Sequence, residues 1–96
     1  MLVVEGHSVF PIDIEEILRS HPKVAEAAVV GIPGKISGEV IRAIIVPKRG
    51  EELVLQEMEQ FCHEHLADYE IPREILFKES LPKTSKGTIR KDELKK

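Results

Sequence analysis

The sequence predicts an α+β fold: an opening β-hairpin plus a small three-stranded sheet covered by two to three helices. Three observations predict it. "KVAEAAVVGI" and "VIRAIIVP" are apolar, branched runs of strand length, as buried strands require. "PIDIEEIL" and the stretch from about Leu55 to Leu66 repeat their apolar residues at helical spacing. The 96 residues, 42% hydrophobic and 32% charged, suit one globular domain and argue against disorder.

Leu2 to Val4 read as a short strand, "EGHS" as a turn in which Gly6 takes a positive φ, and Val9 with Phe10 as the return strand. Pro11 suits a first helical position, and Asp13, Glu15 and Glu16 suit the helix N-terminus as a solvated acidic face. Ile14, Ile17 and Leu18 turn inward, and Pro22 stops the helix near His21. "PGKISGE" joins the two long strands as a loop. Lys48 to Glu52 form a polar connection to the second helix. On that helix Leu55, Met58, Cys62 and Leu66 share one side, with Phe61 beside them. "DYEIP" breaks the helix, "REILFKE" is a third strand, Pro82 to Thr88 form a loop, and a last short helix runs from Ile89. No repeat or internal linker divides the chain, so residues 1–96 read as a single domain.

Net charge is −3, so the chain as a whole has no strong attraction to nucleic acid or an anionic membrane. No apolar run approaches the roughly 18 residues of a membrane span. One cysteine, Cys62, allows no internal disulfide, and "MLVVEGHSVF" lacks a basic stretch and a cleavage site; the expected location is the cytosol. His63 and His65 stand two apart on a helix and diverge, and no His/Cys/Asp/Glu set has metal spacing, so no metal site is expected. Cys62 on an apolar helix face reads as a small core residue. Ser8, Ser37, Ser80 and Ser85 have no nucleophile-elbow context.

The charge is uneven: from Lys83 onward six Lys/Arg stand against two acids. Within "LPKTSKGTIRKDEL" the order Lys86-Gly87-Thr88 does not match a P-loop, which needs lysine after the glycine. On spacing alone this segment reads as a solvated basic tail, with an anion-directed loop as the other reading.

Five stretches in register shift that balance: "GHSVFPIDIEEIL", "HPKVAEAAVVGIP", "GEVIRAIIV", "ADYEIPREILF" and "LPKTSKGTIRKDEL". Together they resemble the small C-terminal domain of AMP-forming acyl-CoA synthetases, adenylate-forming enzymes related to luciferases and peptide-synthetase adenylation domains. The resemblance covers nearly the whole chain. "GHSVFPIDIEE" is most similar to the versions in fatty-acyl and other carboxylate CoA ligases.

The resemblance implies a rotating lid. The family joins a carboxylate to ATP (with Mg) to give acyl-adenylate and pyrophosphate, then passes the acyl group to CoA. A large N-terminal domain binds ATP and acid; the family's hinge falls just before "MLVVEG", and that domain is absent from this sequence. The implied partners are therefore that domain, CoA and the acyl-adenylate. No cofactor is expected on this domain alone, and alone it is expected to be inactive.

For adenylation the family supplies a lysine from the terminal loop, normally directly after the glycine. Thr88 stands there in this chain, and Lys86 precedes Gly87. Residues two apart in an extended segment point to one side, about 7 Å apart. Either Lys86 serves from this shifted root, or the lysine is lacking and adenylation is weak; Lys86 is the catalytic candidate. Lys83, Arg90 and Lys91 read as solvated flanking cations. For thioester formation the family turns the hairpin inward, and Gly6, with His7 and Ser8 beside it, lines the pantetheine passage. Family members often carry a basic residue where Glu70 stands, so this turn is a poor candidate for holding CoA phosphates. The alternative function is a stand-alone, non-catalytic lid-like module docking on a separate synthetase subunit.

Overall fold

A computed structural model of the chain describes residues 2–4, 6–34, 38–87 and 89–94. Strand β4 (Glu39–Pro47) is the middle of a three-stranded sheet. It pairs antiparallel with β3 (Val24–Pro33) and parallel with β5 (Glu74–Phe77). The parallel neighbour needs a crossover, and helix α2 (Leu55–His65) provides it.

Both faces of this sheet are covered, which explains why β3 and β4 read as continuous apolar runs without alternation. Ala27, Val29, Ile41, Ala43 and Ile45 face one way. They pack under helix α1 (Pro11–Arg19), α2 and the hairpin β1 (Leu2–Val4)–β2 (His7–Val9). Ala28, Val30, Ile44 and Val46 face the other way, beneath Leu81, Ile89 and Leu94 of the terminal segment. Side chains alternate along a strand, so this division follows from period two.

Helix α1 begins as its sequence demands. Pro11 occupies the first turn, where a missing N–H costs nothing. The Phe10 carbonyl accepts from the amides of Asp13 (3.1 Å) and Ile14 (3.5 Å). At the other end the Ser20 hydroxyl donates to the Ile17 carbonyl, and Pro22 bars continuation.

Four expectations change. The return strand is His7–Val9, because Val4 pairs directly with His7 and Val9 with Leu2. Phe10 is spent on capping α1. The third strand is only four residues long, since Arg73 and Lys78 each make one last bond to β4 and then leave it. Leu55 stands at the first position of α2 and is 47% exposed, so it does not share the buried side of Met58 and Cys62. The last helix, α3, is Lys91–Leu94, because Ile89 is held in a bridge with Lys83. Residues 35–37 of the β3–β4 loop, including Ser37, lie outside the described residues.

Candidate functional site

The terminal loop is a closed turn rather than a loose tail. The Gly87 amide donates to the Thr84 carbonyl (2.9 Å), and the Lys86 amide donates to Thr84 Oγ1 (3.3 Å). Below the turn, Lys83 and Ile89 form an antiparallel bridge, and the Arg90 amide donates to the Pro82 carbonyl (2.7 Å). Gly87 has φ +86°, a left-handed conformation that glycine adopts without Cβ strain. Lys86 and Gly87 are thus presented together at the tip, both exposed. Thr88, at the family's usual lysine position, lies outside the described residues.

The flanking cations are not simply solvated, which corrects the expectation. Lys83 pairs with Glu26, and Lys91 Nζ lies 2.8 Å from Glu15 Oε2. Arg90 stands 3.7 Å from Glu93. Among the described cations of this segment, Lys86 alone has no carboxylate partner. The reason is topological: the others sit at the base, over acids of α1 and β3 or beside one within α3, and the turn carries Lys86 beyond their reach.

Two further contacts seat the base. Leu81 and Leu94 are buried against the sheet. Arg42 Nη1 donates to the Leu94 carbonyl (2.8 Å) while its Nε donates to Glu74 Oε1 (3.1 Å). Glu15 was expected on a solvated face, yet it is 5% exposed. Its Oε2 accepts the Val29 amide of edge strand β3 (2.8 Å) as well as the Lys91 ammonium. Its spacing was the available signal: three residues before the inward Leu18, it falls within the buried arc of α1.

The second tip is the hairpin. Gly6 has φ +79°, and a Cβ placed there would meet no atom within 4 Å, so that side of Gly6 faces open space. Gly6, His7 and Ser8 are all exposed. Ser8 lies across from Val3 on the outward face. His7 stacks on Tyr69, with ring centroids 4.0 Å apart and planes 9° from parallel. The sequence reading took "DYEIP" as a helix breaker and weighed Glu70 within it, but missed Tyr69; nothing in the local pattern links it to a residue 62 positions away.

The hairpin and the terminal loop thus belong to opposite faces of one sheet. Among the described residues no group of three His, Cys, Asp or Glu side chains is placed to hold a metal ion.

Cys62 is fully buried on α2. Burial, and secondarily the Glu59 carboxylate, push its thiol from 9.0 up to about 11, the reverse of what a nucleophile needs. Below pH 9 both folded and unfolded chains keep the thiol protonated and its contribution is complete. Between pH 9 and 11 the unfolded thiol ionises first, so stability falls, by about 2 kcal/mol at most. Urea midpoints across that range should fall more steeply for the wild type than for Cys62→Ala; parallel profiles would contradict the assignment.

Comparison with known proteins agrees with this fold. The family described as AMP-binding enzyme C-terminal domain matches residues 13–88. An oxalate–CoA ligase of Saccharomyces cerevisiae is 40% identical over 86 residues, 90% of this chain. A long-chain-fatty-acid–CoA ligase of Yersinia pestis is 37% identical over 95 residues, 99% of the chain. Among solved structures, a Mycobacterium tuberculosis fatty acyl CoA synthetase superposes with a TM-score of 0.88 at 34% identity, covering 99% of this chain. The chain spans 16%, 17% and 19% of those three proteins. With its sheet, its hairpin and its terminal loop all matched in order, the chain belongs to the C-terminal domain family of AMP-binding enzymes.

Proposed function

We propose that this chain is the lid of an AMP-forming acyl-CoA synthetase, acting on a reaction centre in a separate ATP- and acid-binding domain. Its small share of its relatives' length leaves room for such a domain. The observation that carries the reading is that two exposed tips rise from segments packed on opposite faces of one sheet. A single centre meets both only if the body turns between steps, as lids that alternate between states do.

In the first step a carboxylate oxygen of the acid attacks the α-phosphorus of ATP. The bond from that phosphorus to the bridging oxygen breaks, and pyrophosphate leaves with the electron pair. Lys86 places its ammonium against the charge gathering on the α-phosphate and carboxylate oxygens. Having no carboxylate partner among the described residues, it gives up no described salt bridge to do so. A cation preorganised in a water-poor site lowers such a barrier far more than one in bulk water. In the second step the CoA thiol loses its proton and its sulfur attacks the acyl carbon. The acyl–oxygen bond breaks and AMP departs. The hairpin then lines the passage, with Gly6 leaving room for the pantetheine arm and His7 and Ser8 along its border.

The test uses the full-length enzyme and an acid it activates, chosen from a panel that includes oxalate and palmitate. Lys86→Ala should slow ATP–pyrophosphate exchange about 100-fold while conversion of supplied acyl-adenylate to acyl-CoA survives. Gly6→Val should do the reverse, slowing only the second step. If either variant slows both steps alike, or neither, the reading fails.

A further inference from the structure

We infer that Tyr69 is the positioning residue for the hairpin tip: its face-to-face stack on His7 holds the Gly6 turn in the pose that thioester formation uses. The inference rests on the lid reading above.

The hairpin is a ribbon of three residue pairs, and a two-stranded ribbon is marginal without outside support. Its inward face starts well anchored, with Leu2 and Val9 paired to each other and buried in the core. Val4 continues that face and is buried too. His7, directly opposite Val4, points the same way, but it lies at the rim and reaches no apolar core. Tyr69 meets it there, at 4.0 Å between ring centres. Beyond this pair, a Cβ placed on Gly6 would meet no atom within 4 Å. The stack is therefore the last described contact between the tip and the body.

Tyr69 is suited to hold something still because it is itself held. It lies in a 3₁₀ turn, Asp68–Glu70, that directly follows α2 and the buried Leu66. The Glu70 amide donates to the Ala67 carbonyl (2.8 Å), and the Ala67 amide donates back to Glu70 Oε1 (3.0 Å). The Tyr69 ring also packs on the main core cluster. A tyrosine with both ends of its turn closed presents one ring orientation, and the near-parallel planes transmit it to His7. The backbone amides of the tip then take up one arrangement. Glu70, placed where a phosphate-binding cation would serve, instead closes the turn under Tyr69.

The experiment scores the two half-reactions of the full-length enzyme separately. Tyr69→Ala should lower CoA-dependent turnover of supplied acyl-adenylate about 10-fold, seen mainly as a raised KM for CoA, with ATP–pyrophosphate exchange within about 2-fold of wild type. Tyr69→Phe keeps the ring face and should restore the rate. The double variant His7→Ala/Tyr69→Ala should lose less than the product of the two single losses, since either change removes the same stack. Tyr69→Phe as poor as Tyr69→Ala, additive losses, or equal loss of both half-reactions would overturn the inference. On this chain, NMR should show the His7 ring protons shifted by the Tyr69 ring current in wild type and Tyr69→Phe but not in Tyr69→Ala; unshifted protons in wild type would overturn it equally. Gly6→Val separates the two ideas. If it blocks thioester formation while Tyr69→Ala does not, the positioning role falls and the lid reading stands.

Discussion

Replacing Ile44 by alanine should cost the fold about 3 to 4 kcal/mol, the largest loss expected from a single truncation. Ile44 sits in the middle of the central strand and has no exposed surface. Its neighbours across the ladders are Ala28 and Leu76. Ala28 is too small to fill the vacated space, and strands paired on both sides of β4 prevent collapse of the backbone. Its side chain also forms part of the seat for Leu81 and Leu94, so the cavity would open beneath the terminal segment. Urea denaturation of this chain measures the loss as a lower midpoint at unchanged slope. Ile12→Ala is the control: Ile12 is 63% exposed, and its loss should stay within about 0.5 kcal/mol. Equal effects at the two positions would mean that the second face of the sheet is not a packed core.

What made the sheet legible was burial on both sides. A strand covered on two faces shows an unbroken apolar run, and "VIRAIIVP" became β4 almost residue for residue. Helix α1 was equally legible, because Pro11, the inward Ile14 and Leu18, and Pro22 mark its start, its buried side and its end. The elements that shifted are short ones at edges, where a single hydrogen bond decides the assignment. Ile89 has the composition of a helix start, yet one bridge to Lys83 holds it extended. Phe10 looks like a strand residue, yet its carbonyl is taken by the first turn of α1.

The positions of the proposed site residues were legible as turns, and their partners were not. Lys86, Gly6, His7 and Ser8 came from a family resemblance, and the structure places all four at exposed tips. Local spacing cannot reveal that Lys91 meets an acid 76 positions earlier or that His7 meets Tyr69. Those pairings depend on how α1, the hairpin and the terminal segment fold back over the sheet. Once they are known, the basic segment ceases to be uniform, since Lys83 and Lys91 are tethers and Lys86 has no carboxylate partner among the described residues.

Glu15→Ala should then be the most disruptive change at any charged position, at about 3 kcal/mol, an estimate at the low end for breaking a buried ion pair. One oxygen, Oε2, serves two donors from different parts of the chain, the Val29 amide and the Lys91 ammonium. Val29 is buried in edge strand β3, so its amide has no strand on that side and no ready access to water. Losing the carboxylate leaves that amide unsatisfied, which by itself costs about 1 to 3 kcal/mol. Lys91 is hurt less, because its side chain is 38% exposed and can rehydrate. The asymmetry gives a sharp comparison. Lys91→Ala should cost only about 1 kcal/mol, since Glu15 keeps its backbone donor. Glu15→Gln should fall between, retaining an acceptor for Val29 while losing the attraction to Lys91. A double-mutant cycle on Glu15 and Lys91, read from urea midpoints, isolates the pair from the backbone bond. Lys91→Ala as costly as Glu15→Ala would mean that the ion pair, and not the capped strand edge, is what joins α1 to the rest of the fold.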